Sequence, residues 1–249
     1  MLLYRRAILW FSKDTVYILK GIRNWRFSVV SCLFDAHRIR AGTGQASGIR
    51  EKGFRELSEI YGLQQYRVSI VVGGGKLIYK QTILPTASKK KAKESVFWDN
   101  TLLDQSEDLA IDIYRAGKVS GQDAYRWIIG AYPLSEIRML AEGANAYTAG
   151  LEEIDILPTL AARIFSACEG TVYLPEGNGC HVFAVNSGAV EAYEWQGERP
   201  LLPTDDMPSA TAVLKKDGRW QEAVVKTTVG KVMKQWEIPY LGAFLFEKL

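Results

Sequence analysis

The stretch Val68-Ser-Ile-Val-Val-Gly-Gly-Gly-Lys-Leu-Ile-Tyr-Lys-Gln-Thr-Ile-Leu-Pro85 decides how the chain is read. Apolar and β-branched residues fill Arg67 to Val72 and Leu77 to Leu84, which predicts two strands. Gly73-Gly74-Gly75 between them predicts a hairpin turn, and Pro85 closes the second strand. Ser88 is then the expected N-cap of a helix reaching about Leu103, with Ala92, Val96 and Leu103 on one face. Strands of period two followed by a helix of period 3.6 mark an α/β chain.

The same alternation runs outward in both directions. Upstream, Ala7 to Phe11, Thr15 to Lys20 and Trp25 to Leu33 predict three strands, with Ser12-Lys13-Asp14 as a polar turn. A helix from Ile49 to Tyr61 follows, with Phe54, Leu57 and Tyr61 at helical spacing and Gly62 as its stop. Downstream, Glu107 to Tyr114 and Tyr125 to Ala131 predict strands, and Ser135 is the expected cap of the next helix, with Glu136 placed where the dipole favours it. Leu151 to Leu157 predicts a strand, and Pro158 starts a helix where proline is best tolerated. Thr171 to Leu174, His181 to Asn186 and Ala189 to Trp195 predict three more strands. The proline-bearing stretch Gln196 to Met207 reads as a loop. A helix is expected from Gln221 to about Trp236, although its valines resist helix, and another from Pro239 to Phe246.

The chain has 249 residues, 47% hydrophobic and 24% charged, enough for a sizeable core. A net charge of +3 is too mild for a nucleic-acid partner, which calls for a concentrated basic face. The densest basic run, Lys89-Lys90-Lys91-Ala92-Lys93, reads as a solvated first turn of its helix or as a contact to anionic lipid headgroups. Cys32, Cys168 and Cys180 are far apart and in no CxxC spacing, which argues against a disulfide framework or a zinc site and fits a reducing compartment. The apolar run after Met1 is too short for a signal peptide, and no stretch approaches the ~20 residues of a membrane span, so a cytoplasmic location is expected.

Catalytic signatures are sparse. His37 and His181 are distant from each other and lack ligand-spaced carboxylates or thiolates, so both read as surface or satisfied core residues. There is no GxSxG elbow. Gly73-Gly74-Gly75-Lys76 does not open a helix, as a phosphate-binding loop must, because Leu77-Ile78-Tyr79 continue as strand. Asn186-Ser187-Gly188 lies between two strands, and a type I′ turn is the preferred reading over a phosphate contact.

The succession from Val68 to Pro85, then a charged helix holding Trp98, then Glu107-Asp-Leu-Ala-Ile-Asp112, resembles the PilM family of actin-like pilus-assembly proteins and the related cytoplasmic part of the GspL secretion proteins. Ala124 to Ala131 with Ser135-Glu-Ile-Arg-Met-Leu140, and Gly150-Leu-Glu-Glu-Ile-Asp-Ile-Leu157, are similar to that family's next segments. Pro239 to Phe246 is similar to the terminal helix of actin-like folds.

The resemblance implies a mixed α/β protein of actin-like (ribonuclease H-like) two-subdomain architecture with an inserted small subdomain and a truncated second half. The implied division is 1–65 for the first part of subdomain one, 66–132 for the insertion, 133–158 for the return, 159–236 for a reduced subdomain two and 237–249 for the terminal helix. ATP-binding members carry a glycine-bearing turn after the first strand, where small residues let phosphate approach the backbone. This chain has Ser12, Lys13, Asp14 and Thr15 there, with no glycine. The second phosphate loop is matched to Asn186, Ser187 and Gly188, which lack the acidic residue and glycine pair. No cofactor is therefore expected, with ATP and Mg as the alternative, and no metal site. The implied role is a non-catalytic scaffold of a type IV pilus, competence or type II secretion machine. It would bind the cytoplasmic tail of a single-span inner-membrane partner near Phe97, Trp98 and Leu102, and it allows a homo-oligomer or ring. An actin-like ATPase or sugar-kinase relative is the alternative.

Overall fold

In a computed structural model, the described residues are 4–12, 15–24, 29–38, 46–98, 108–198 and 212–249. They form three sheets. Strands β1 (Tyr4–Phe11), β2 (Thr15–Arg23) and β3 (Val29–Arg38) make an antiparallel meander. Helix α1 (Ala46–Tyr61) ends at Gly62, whose φ of 63° is the left-handed stop expected there. The chain then returns as β4 (Arg67–Val72), parallel to β1.

The predicted hairpin at Gly73-Gly74-Gly75 is overturned. β4 pairs with β1 and with β8 (Leu151–Ile156), whereas β5 (Ile78–Leu84) pairs with β7 (Tyr125–Pro133) in a different sheet. The glycines therefore carry the chain from one sheet to another. The signal was in β4 itself: Val68 to Val72 are buried on both faces, as a parallel strand covered on each side requires, and a two-stranded hairpin cannot supply that cover.

β5, β7 and β6 (Leu109–Lys118) form the small sheet, and α2 (Lys89–Trp98) lies on it. Ala92 and Val96, one helical turn apart, pack with Ile113, Trp127 and Ile129 in a separate small core. Ser88 sits at the start of α2 as expected, its carbonyl accepting the Ala92 N–H at 2.9 Å. The cap of α3 (Leu134–Tyr147) differs from expectation: Pro133 holds the N-cap position, Ser135 lies inside the first turn, and no side chain caps the helix. A proline there fixes φ and lacks the donor that a helix start leaves unpaired.

β8 leads into α4 (Leu157–Ile164), with Pro158 in its first turn. The second large sheet follows: β9 (Gly170–Glu176), β10 (Gly179–Asn186), β11 (Ala189–Gln196), β12 (Val213–Lys216) and β13 (Arg219–Glu222), in the order β11-β10-β9-β12-β13. The helix predicted from Gln221 is therefore shorter. Gln221 and Glu222 end a strand, and α5 (Thr227–Trp236) starts after Val224 and Val225, whose β-branches favour extended backbone. α6 (Tyr240–Phe246) closes the described chain against β2 and β1. Beyond it, Lys248 is buried and pairs with Glu153 at 3.1 Å and with Asp155, while its carbonyl accepts from Arg6 at 2.8 Å. One continuous core joins both large sheets, from Ile8 and Phe54 to Phe183 and Phe244.

Candidate functional site

β1, β4 and β8 run parallel, so their C-terminal ends, near Phe11, Val72 and Ile156, share one edge of the first sheet. In open sheets with parallel strands the ligand crevice forms outside such an edge. Here that edge meets the second sheet, and aromatic side chains occupy the meeting point.

Trp10, 1% exposed on β1, packs against the His181 ring of β10 with centroids 5.2 Å apart. Trp195 of β11 also packs against His181, its ring tilted with centroids 4.5 Å apart. Two glycines make room for Trp195. A Cβ on Gly75 would lie 3.1 Å from its ring, and one on Gly179 only 2.3 Å, so at Gly179 no side chain is tolerated while Trp195 keeps its place.

A buried polar chain crosses the same junction. The Gly74 N–H, presented by backbone at φ 81°, donates to the Tyr193 hydroxyl oxygen at 2.7 Å. Tyr193 and His181 Nδ1 are 2.9 Å apart, and His181 Nε2 is 2.7 Å from a Glu176 carboxylate oxygen. The carboxylate accepts, so Nε2 carries the ring proton, and Tyr193 donates to the free Nδ1. Burial holds the His181 pKa below its ordinary value, against the opposing pull of Glu176. Burial likewise raises the Tyr193 pKa, so its hydroxyl stays protonated. Tyr79 adds a second link between sheets, donating to the Val190 carbonyl at 2.8 Å. Both His181 nitrogens and the Tyr193 hydroxyl are thereby partnered, so the cluster fastens two sheets together with its buried ring and hydroxyl groups hydrogen-bonded.

The turns expected to touch phosphate are placed as follows. Ser12 N–H donates to the Thr15 carbonyl at 2.9 Å, closing the turn with a backbone bond. Lys13 and Asp14 lie outside the described residues. Asn186-Ser187-Gly188 joins β10 to β11, with positive φ at Ser187 and Gly188, the mark of a type I′ turn. In the second sheet, the position matching the β1–β2 turn is the β9–β10 turn at Gly177-Asn178, next to Glu176. Of the two readings the sequence allows for His181, surface or satisfied core, the structure decides for the core, where the ring is fully buried. Its partners Tyr193 and Glu176 carried no signal, because their spacing becomes meaningful only once β9, β10 and β11 are paired.

A separate cavity of about 630 Å³ opens where the small sheet meets the first turn of α3. Lys76, Ile78, Asp108, Leu109, Leu134 and Arg138 line it, and Lys76 pairs there with Glu136. The expected partner contacts Phe97 and Trp98 lie at the C-terminal end of α2, 59% and 80% exposed, with their rings edge to face at 5.7 Å. Leu102 lies outside the described residues. Among the described residues no group of three or more histidine, cysteine or acidic side chains could hold a metal, and no helix is long and apolar enough to cross a membrane.

The two large sheets share one strand order, with a small sheet inserted between β4 and β8 of the first. The fold is actin-like. Among solved structures, the chain is similar to a chain of a PilM–PilN type IV pilus biogenesis complex, with a TM-score of 0.60 at 10% identity over 96% of this chain and 68% of that one. It also matches the cytoplasmic domain of EpsL, an inner membrane component of the type II secretion system of Vibrio cholerae, at a TM-score of 0.47 and 11% identity over 77% of this chain and 70% of that one. A Bacteroides thetaiotaomicron protein with an actin-like ATPase fold and unknown function matches at 0.47 and 11%, over 77% and 69% of the two chains. No protein-family model and no curated protein matches the sequence.

Proposed function

We propose that this chain is a non-catalytic scaffold of a pilus, competence or secretion assembly machine, held at the inner face of the cell membrane by the cytoplasmic tail of a membrane-anchored partner. The observation that carries the non-catalytic part is the filled crevice. Trp10, His181 and Trp195 take up the volume at the C-terminal edge of the parallel strands, and Tyr193 already uses the Gly74 amide. A nucleotide would have to displace these rings and break a matched polar chain, losing about 1–3 kcal/mol for each buried group left unpaired. In this reading the chain uses neither ATP nor magnesium, and its second half is a reduced subdomain closed onto the first.

The tail-binding part is supported by the cavity at the first turn of α3. Its volume suits a few side chains, and its lining combines apolar Ile78, Leu109 and Leu134 with Lys76, Asp108 and Arg138. The aromatic end of α2, with Phe97 and Trp98, supplies a second anchor for an extended peptide. The PilM–PilN complex supplies the precedent for a partner of this kind.

Calorimetry tests both parts. Titration with millimolar Mg-ATP is expected to be flat; measurable heat, with amide protection at Ser12 and Thr15, would sink the closed-crevice reading. The cytoplasmic tail peptide of the membrane-anchored partner is expected to bind, and Arg138→Glu to weaken it. Absence of binding at high micromolar peptide would sink the scaffold assignment.

A further inference from the structure

We infer that α2 is a docking surface for an anionic lipid bilayer, built from Lys90, Lys91, Lys93 and Trp98. This goes beyond tail binding and stands whether or not a tail binds.

The helix buries only Ala92 and Val96, at positions one turn apart. At 100° per residue, Lys90 and Trp98 fall on the opposite, solvent-facing side, with Lys91 and Lys93 on its two flanks. All three lysines are exposed. Lys89 is already paired with Asp112 at 2.7 Å, whereas Lys90, Lys91 and Lys93 have no ion pair among the described residues. Glu94 is the only acidic residue of the helix. Lys80, exposed on β5, shares the strand parity of Ile78 and Leu84, which pack into the α2 core, and so adds charge beside the helix.

Two physical features select a bilayer over an acidic protein. A Trp 80% exposed is a poor surface residue in water, yet its amphipathic ring suits the headgroup level of a membrane. Lysines can spread around it and reach phosphates, with their stems covering apolar surface. The apolar side of α2 is spent on the protein's own core, so its cationic outer face would hold a bilayer by charge, with Trp98 alone reaching the headgroup level. Placing four lysines in its first turns also opposes the helix dipole, a cost that an anionic surface would offset.

Flotation of the whole chain with vesicles of equal parts phosphatidylglycerol and phosphatidylcholine tests the inference, without any tail peptide present. The chain is expected to float with these vesicles and not with pure phosphatidylcholine, and to release at about 0.5 M salt, where charges beyond a few ångströms are screened. Each of Lys90→Gln, Lys91→Gln and Lys93→Gln should lower partitioning about fivefold, and the triple variant about a hundredfold. Trp98→Ala should weaken binding without altering its salt dependence. These side chains are exposed, so the variants should fold, and Lys215→Gln serves as a distant control. Three results would overturn the inference: no flotation with the anionic vesicles, equal flotation with neutral ones, or unchanged binding by the triple variant. Capture of a polyglutamate peptide without vesicle binding would overturn it too, by assigning the surface to an acidic protein. The vesicle results and the lysine variants are read without any tail peptide and leave the tail titration unchanged, so the two proposals fail separately, with Trp98 the one side chain that both use.

Discussion

The two large sheets have the same spatial plan and reach it by different routes. In each, three antiparallel strands form a meander, and the fourth and fifth strands add on the far side of the first. In the first sheet these added strands, β4 and β8, are parallel to β1 and arrive after crossovers that include α1 and α3. In the second, β12 is antiparallel to β9 and is joined to β13 by a tight turn. Parallel pairing demands crossovers that cover both faces, so β4 is buried from Val68 to Val72; the β12–β13 hairpin needs no such cover, and β13 has no buried residue. The lesson is that strand order alone does not fix the energetic weight of a strand. Its connection does.

Ile70→Ala, in the fully buried centre of β4, should cost about 2–5 kcal/mol. Trp220→Ala on β13, where the ring rests at 5.2 Å from Tyr173, should cost no more than about 1 kcal/mol. Urea unfolding of the two variants checks the contrast, and equal losses would mean that parallel and hairpin-joined added strands carry similar weight.

A smaller effect is expected where the sheets are fastened together. Tyr193→Phe leaves the Gly74 N–H and His181 Nδ1 without their partner, and should destabilise by about 1–3 kcal/mol. If the junction is the weakest seam, this variant should also raise hydrogen exchange at Gly74 before it affects Ile70. Uniform exchange across both sheets would show instead that they unfold as one unit.

The mildest perturbation is pH. His181 is neutral when folded and has a lowered pKa, whereas an unfolded histidine titrates near 6.5. Below that value the unfolded chain binds the proton that the folded chain refuses, so stability falls as pH falls. The contribution is at most about 1.4 kcal/mol per pH unit, and is absent well above pH 6.5. His181→Gln should flatten the acid side of the stability profile relative to the parent chain; identical profiles would remove His181 from the account.

Many strands of all three sheets were legible along the chain. Period-two runs located β1, β2, β7, β9, β10 and β11, and Gly62 and Pro158 marked real helix boundaries. The misreadings share one cause. Gly73-Gly74-Gly75 resembles a hairpin turn because local sequence records conformational freedom, not which strand comes next in space. Gln221 and the following valines suggested a helix because apolar residues at mixed spacing fit either period, and only pairing with β12 settles Arg219 to Glu222 as strand.

For the candidate site the division is sharper. Sequence alone determined the missing glycine in the turn after β1, the bulk of Trp10 before it, and the basic and aromatic character of α2. These are properties of residue type, which no fold can change. Only the tertiary structure decided that Trp10, Gly74, His181, Tyr193 and Trp195 meet, because their contacts span strands of two sheets and up to 171 positions of separation. Such contacts have no period and no spacing rule. They arise when the parallel edge of one sheet is closed against the side chains of another.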